Sequence, residues 1–313
     1  MRCLVTGVAG FIGSHLAERL IDLKHDVLGI DRFTDYYPRP LKERNLARLR
    51  DEARFSLAEI DLATADLAPS LDGVEIVFHL AAQAGVRASW GERFETYLHD
   101  NVLATQRLLE AAKVRGEARK IIYSSSSSVY GQTHEMPMRE GSATAPYSPY
   151  GVTKLSGEHL CDLYRTNFGL STVALRYFTV YGPRQRPDMG FHRFIEAIRR
   201  GEAIPLYGDG EQTRDFTFVA DAVEANVLAM TAGAGVINIG GGSRVTVNQV
   251  LKTLGEVAGP VRIEPRPEQA GDVRHTWADT TRAREVLGYA PRVSLSDGLA
   301  AQVEWQRQTL PLP

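Results

Sequence analysis

Arg2-Cys3-Leu4-Val5-Thr6-Gly7-Val8-Ala9-Gly10-Phe11-Ile12-Gly13 is the stretch on which the fold turns. Arg2–Thr6 reads as a short buried strand. Beyond the glycines, Ile12, Leu16, Leu20 and Leu23 recur at the spacing of an amphipathic helix. A strand that runs into glycines and then opens a helix makes a tight turn, and its backbone N–H groups can approach a pyrophosphate at the positive helix end. Asp31 closes the next strand-like run, Asp26–Asp31, 18 residues after Gly13, where an acidic group can bond the hydroxyls of an adenosine ribose. A carboxylate there repels the extra phosphate of NADP and favours NAD, while Arg32 beside it works in the opposite sense.

Working outward, further runs rich in β-branched residues appear at Phe55–Ile60, Val74–His79, Lys120–Ser125 and Thr172–Tyr177, with helical patterns such as Val102–Val114 between them. This alternation predicts an α/β chain: a Rossmann-type, doubly wound parallel sheet covered by helices on both faces. Right-handed crossovers put all the strand C-termini along one edge, where ligands bind. After about residue 178 the rhythm breaks at Pro183, Pro187, Gly190, Pro205, Gly208 and Gly210. The expected division is a dinucleotide-binding domain over 1–175 with a return segment near 216–240, which contains the helical pattern Asp221–Met230 and a strand at Val236–Ile239. Residues 176–215 and 241–313 then form a smaller mixed α/β lobe over the cleft.

The composition narrows the function classes. Lys plus Arg is 36 and Asp plus Glu 38, and no run is strongly basic, so nucleic acid is not an expected partner. The start lacks the pattern of a secretory signal, and no stretch reaches the roughly 18 apolar residues that cross a bilayer. Cys3 and Cys161 sit in apolar segments and read as buried thiols of a cytoplasmic protein, and the eight His show no ligand spacing, so no metal is expected.

Two segments carry chemistry. Tyr150-Gly151-Val152-Thr153-Lys154 places a phenol and an ammonium four residues apart on one helix face. A free Tyr, with a pKa of about 10, is a poor base at neutral pH. A neighbouring ammonium and a positive nicotinamide ring favour the phenolate. Ser124–Ser128 has the composition of a flexible linker, yet it follows the strand Lys120–Tyr123 and so falls at a strand end facing the cleft.

These features together resemble the extended short-chain dehydrogenases over nearly the whole chain. The glycine spacing of that family is the one seen here, and the resemblance places Asp61 and Leu62 at adenine and Leu80, Ala81 and Ala82 along the cofactor groove. It also makes Tyr150 the base, Lys154 its partner on the nicotinamide ribose, and Ser126 the hydroxyl that bonds the reacting group, while Asn101 is structural. The second lobe resembles the nucleotide-sugar branch. Tyr207, Gly208-Asp209-Gly210 and Arg214 fall in the segment that clamps a nucleotide diphosphate, and Asp272 falls at the nucleotide ribose. Gln269 stands where some members carry Arg, a loss for which Arg274 can compensate.

The resemblance further implies a homodimer through the helices near Asn101–Val114 and Tyr150–Phe168. Three chemistries share the scaffold: 4-epimerisation, 4,6-dehydration and decarboxylation of a uronic acid. Dehydratases carry Asp-Glu where this chain has Ser127 and Ser128, which disfavours dehydration. His79–Ser89, Asp35-Tyr36-Tyr37, Thr179 and Arg186-Pro187-Asp188-Met189 resemble segments of UDP-glucuronate 4-epimerases. A uronate pocket needs donors and a positive charge, which Ser127, Ser128, Thr179 and Arg186 can supply, with Arg184 or Arg87 as further cations. The expectation is an NAD-dependent 4-epimerase of UDP-glucuronate. A decarboxylase, a UDP-glucose 4-epimerase and a cofactor-binding regulator on a decayed scaffold stay open.

Overall fold

β1 (Arg2–Thr6) shows how the sequence covers both faces of its sheet: Cys3 and Val5 point into one apolar cluster and Leu4 into the other. The computed structural model describes residues 1–268 and 273–310. β2 (Asp26–Asp31), β3 (Phe55–Glu59), β4 (Ile76–His79), β5 (Lys120–Ser126) and β6 (Thr172–Tyr177) lie parallel to β1. Between β6 and the seventh strand of the large sheet come β7 (Val180–Tyr181), β8 (Ile204–Tyr207), β9 (Thr213–Asp215) and β10 (Thr217–Phe218). That seventh strand, β11 (Gly235–Ile239), pairs parallel with β6, giving the order β11-β6-β5-β4-β1-β2-β3. The sheet is the expected Rossmann-type α/β arrangement.

The helices in chain order are α1 (Phe11–Asp22), α2 (Arg39–Asn45), α3 (Phe94–Tyr97), α4 (Ala104–Arg115), α5 (Pro149–Phe168), α6 (Gly190–Arg200) and α7 (Val219–Leu228). α8 (Val247–Val257), α9 (Thr281–Leu287) and α10 (Leu295–Thr309) follow. α1 packs on α7 and α4 on α5, one pair for each face of the sheet. α2, which follows β2, carries Pro40 in its first turn, where its missing N–H costs nothing. Val102–Val114 is not one α-helix. Leu98–Leu103 form a π-helical segment that leads into α4 and turns both Asp100 and Asn101 inward.

Over the strand ends lies a third apolar cluster of Phe191, Ile195, Ile204, Leu206, Val250, Leu254, Leu299 and Val303. It is held by α6, α8 and α10 and by two small pairs of strands, β8 with β13 (Ile263–Arg266) and β9 with β12 (Arg244–Thr246). α9 packs instead against β11, so Ala283 and Leu287 join the core of the large sheet. Among the described residues no helix is long and apolar enough to cross a membrane.

Candidate active site

The glycine turn is a steric necessity. Gly7 has φ +70°, and a Cβ on Gly13 would lie 2.2 Å from the Gly7 carbonyl oxygen. Behind Gly10, α1 starts without a side-chain cap, leaving its first N–H groups open to an anion. From this turn a groove runs along the sheet edge past Gly7, Gly10, Phe11, Ile12, Gly13, Asp31, Arg32, Asp61, Leu62, Leu80, Ala81 and Ala82 to Tyr150 and Lys154. Asp31 is fixed in place, its carboxylate accepting from Ala9 N–H (3.1 Å) and Phe33 N–H (2.8 Å), and burial holds its pKa above the usual carboxylate range. An uncapped helix end, a cradle that a Cβ would fill and an anchored acid at the β2 end fit a dinucleotide such as NAD.

α5 is set by its own sequence. Ser148 caps it by accepting the Gly151 N–H at 3.1 Å, and Pro149 opens the first turn. That turn presents Tyr150 and the next presents Lys154. Burial raises the Tyr150 phenol, while the Arg186 guanidinium and a hydrogen bond with Ser126 work against the rise. Arg186 is a cation acting on the phenol that the Tyr150–Lys154 spacing does not reveal. The Lys154 ammonium points down to the sheet, donating to the Ser124 carbonyl at 2.8 Å and lying 5.1 Å from the Tyr123 ring centroid. Burial lowers its own pKa to about 8.

The serine run does not behave as a linker. Ser124 and Ser125 are buried in β5, and their hydroxyls bond the Tyr177 phenol and the Glu158 carboxylate. Ser126 ends the strand and accepts the Ser128 N–H at 3.1 Å, so Ser127 and Ser128 turn back beside the start of α5. Asn101 ties the loop after β4 to α5, donating to Gln83 O at 3.0 Å and to Thr153 Oγ1 at 2.9 Å.

A second cleft opens from the first toward the small lobe, with Arg87, Thr179, Tyr207, Arg214 and Arg274 on its walls. The Arg87 guanidinium lies 5.0 Å from the Tyr207 ring centroid. Arg214 donates to the carbonyls of Thr213 and Arg274, and Arg274 pairs with Asp209 at 2.7 Å and Glu268 at 3.1 Å. At the junction of the two clefts Arg186 meets Asp188 through two bonds of 2.9 Å, and the Tyr36 hydroxyl donates to the same carboxylate at 3.1 Å. Arg184, the alternative cation, turns away with φ +65° and pairs with Glu18 of α1 at 2.7 Å. Gln269 and Asp272 lie outside the described residues.

Several groove residues carry no signal in the sequence. Lys42 sits on α2 and donates to the Thr34 carbonyl at 2.6 Å, and Asp100 reaches the groove through the π-helical segment. Asp188 and Tyr36 belong to stretches that the sequence singles out, but nothing there says that they bond each other. Among the described residues no group of His, Cys, Asp and Glu is placed to hold a metal ion.

His79 stands under the site as a neutral strut between Thr6 Oγ1 (2.8 Å) and Thr105 Oγ1 (2.9 Å), its pKa pushed down to about 3 by burial and then by Lys154. His15, bonded to the Pro183 carbonyl, is pushed down to about 4, mainly by burial. Both folded values lie below the unfolded value of about 6.5, so the stability they contribute is complete above that pH and is lost as pH falls through 4 and 3. Melting temperature is expected to fall between pH 7 and pH 4, and less steeply in His79→Gln. Equal slopes for the two proteins would remove His79 from this account.

The model of the NAD dependent epimerase/dehydratase family matches residues 3–240. The chain belongs to this family. An uncharacterised UDP-glucose epimerase of Bacillus subtilis (strain 168) is 45% identical, aligned over 97% of this chain and 98% of its own. A UDP-glucuronate 4-epimerase of Thermodesulfobacterium geofontis is 36% identical over 99% and 97%. Among solved structures, UDP-glucuronic acid 4-epimerase from Bacillus cereus, in complex with UDP-glucuronic acid and NAD, is similar at a TM-score of 0.95 and 43% identity, covering 98% of this chain and 99% of that one.

Proposed function

We propose that the chain is an NAD-dependent 4-epimerase that interconverts UDP-glucuronate and UDP-galacturonate. The observation that carries this reading is the junction where the dinucleotide groove meets the second cleft, with Tyr150, Ser126 and Arg186 all brought to it. The sugar nucleotide then lies between the domain 1–175 with its return segment 216–240 and the segments 176–215 and 241–313. Tyr207, Arg214 and Arg274, with Gln269 and Asp272, hold the nucleotide end.

NAD, when bound, supplies a reversible acceptor for the hydrogen on the sugar C4. Tyr150 takes the proton of the C4 hydroxyl, and Ser126, bonded to Tyr150, orients both groups. Lys154 holds the ribose on the nicotinamide side. The keto-sugar that results is a β-keto acid, which loses carbon dioxide if its carboxylate bond aligns with the carbonyl π system. Ser127, Ser128 and Thr179 hold the carboxylate out of line with hydroxyl bonds, and Arg87 and Arg186 bring positive charge nearby. Tyr150 returns the proton after the sugar has turned its other face.

Arg186 is already paired with Asp188, which favours a second reading, a neutral UDP-hexose as substrate. Proton NMR of the purified protein with UDP-glucuronate and no added reductant tests both. UDP-galacturonate appearing toward equilibrium is expected, and a UDP-pentose would indicate decarboxylation. Conversion of UDP-glucose alone would overturn the uronate assignment. In Arg186→Ala, kcat/KM on UDP-glucuronate is expected to fall about 10²-fold, since a charged partner is lost from a desolvated site. Unchanged activity would favour the neutral sugar.

Two further parts of the reading concern assembly and place. Leu98, Leu103, Val152, Leu163 and Phe168 are exposed on α5 and the π-helical segment before α4, which supports a homodimer through these helices. Cys3 and Cys161 are buried free thiols, in keeping with a cytoplasmic protein.

A further inference from the structure

The adenosine end of the dinucleotide groove holds an ion cluster that the catalytic scheme does not use. Arg32 follows the ribose-binding Asp31, a position from which a guanidinium could fold onto a phosphate of the adenosine ribose. It is not free to do so. Its Nη1 donates to Asp61 Oδ2 at 3.1 Å and its Nη2 to Asp100 Oδ2 at 2.7 Å. The other Asp100 oxygen is bonded to His99 Nδ1 at 2.8 Å, and the other Asp61 oxygen accepts the Ala63 N–H at 2.8 Å. The Asp100 side chain is 9% exposed and that of Arg32 33%, so the acid is the fixed partner and the guanidinium the one that is held. Lys42, the second cation in this part of the groove, is engaged by the Thr34 carbonyl and hydroxyl.

We propose that Asp100 determines which dinucleotide the protein takes, by pinning Arg32 against Asp61 so that a 2′-phosphate finds carboxylates and no available guanidinium. The inference rests on the reading of the groove as a dinucleotide site. A phosphate would add about 1.5 to 2 negative charges beside Asp31, Asp61 and Asp100, inside a groove whose apolar walls weaken screening. A guanidinium fork satisfies phosphate well, but here its fork is already filled by two carboxylates. Asp31 alone gives only repulsion. Asp100 also withdraws a guanidinium that could offset it, and it does so from the π-helical segment, far along the chain from the β2 end.

The test is calorimetric binding of NAD and NADP to protein stripped of bound nucleotide. Wild type is expected to bind NAD and to discriminate against NADP. In Asp100→Asn the ratio of the two dissociation constants is expected to shrink about ten-fold through tighter NADP binding. Adding Arg32→Ala to Asp100→Asn should erase that gain, since the gain comes from the released guanidinium and not from the lost charge alone. An unchanged ratio in Asp100→Asn, or a gain that survives Arg32→Ala, overturns the proposal. If Asp100→Asn does not fold, Asp100→Ala is measured the same way. If wild type binds neither nucleotide, it is the dinucleotide reading that fails.

Discussion

Replacing Tyr150 by Phe is expected to lower kcat on UDP-glucuronate by about 10³–10⁴-fold while leaving KM within a few-fold. The ring keeps its place beside Tyr97, 6.3 Å away edge to face, so α5 and the groove should be undisturbed. What disappears is the phenol oxygen that accepts the C4 proton and later returns it. Serine hydroxyls cannot take over, because Ser126 is itself a partner of that phenol and Ser128 is engaged with Ser126. Single-turnover absorbance at the reduced nicotinamide band would separate loss of chemistry from loss of binding. Retention of more than a tenth of the wild-type rate would show that another group is the base. Because Arg186 opposes the rise of the phenol's pKa, Arg186→Ala should also move the acid limb of the kcat profile, which the base sets, upward in pH.

The largest expected loss of stability comes from Glu158→Ala. Glu158 lies one turn beyond Lys154 on α5, and its carboxylate takes two bonds from Arg176 of β6, at 2.8 and 2.7 Å, with both side chains about 5% exposed or less. Ser125 of β5 donates to the same carboxylate. Removing the acid leaves a guanidinium buried under the helix, with the Tyr130 ring face 4.7 Å away and the Glu140 carbonyl at 3.4 Å among its remaining neighbours. Breaking a buried pair in this way costs about 3–5 kcal/mol. Urea unfolding should show the midpoint falling with little change in slope. Losing less than about 1 kcal/mol would mean that water or a moved side chain takes the place of the carboxylate. The double variant Glu158→Ala with Arg176→Met should recover much of the loss, since no uncompensated charge remains.

The sequence carried the sheet well, because each strand of a parallel sheet is a contiguous apolar run and each crossover a helical one. β1, β2, β5 and β6 fall at or within one residue of their expected limits. The glycine turn, Asp31 and the Tyr150–Lys154 pair were legible for the same reason: each is a local pattern with a local cause. What could not be read were contacts made across the fold. Nothing in the composition around Arg32 says that Asp61 and Asp100 will close on it, and heptad or strand periodicity cannot register a π-helical turn that inserts an extra residue. The direction of the Lys154 ammonium belongs to this class too, since helix spacing places it near Tyr150 but not whether it faces the phenol or the Ser124 carbonyl. Arg184 and Arg186 are two residues apart and identical in kind, yet one bonds α1 and the other the cleft, a difference set by the positive φ at Arg184.

β11 has a bearing on biosynthesis. This strand closes the large sheet against β6, yet between the two the chain must first pass through the strands and helices of the small lobe. During translation at about 5–20 residues per second, the β6 edge therefore stays open for several seconds after it leaves the ribosome. An unpaired edge with buried-type residues such as Val173 and Leu175 is a template for association with another nascent chain. The nascent protein thus passes through an interval in which a chaperone that shields strand edges protects its yield, and slow synthesis between residues 178 and 235 lengthens that interval.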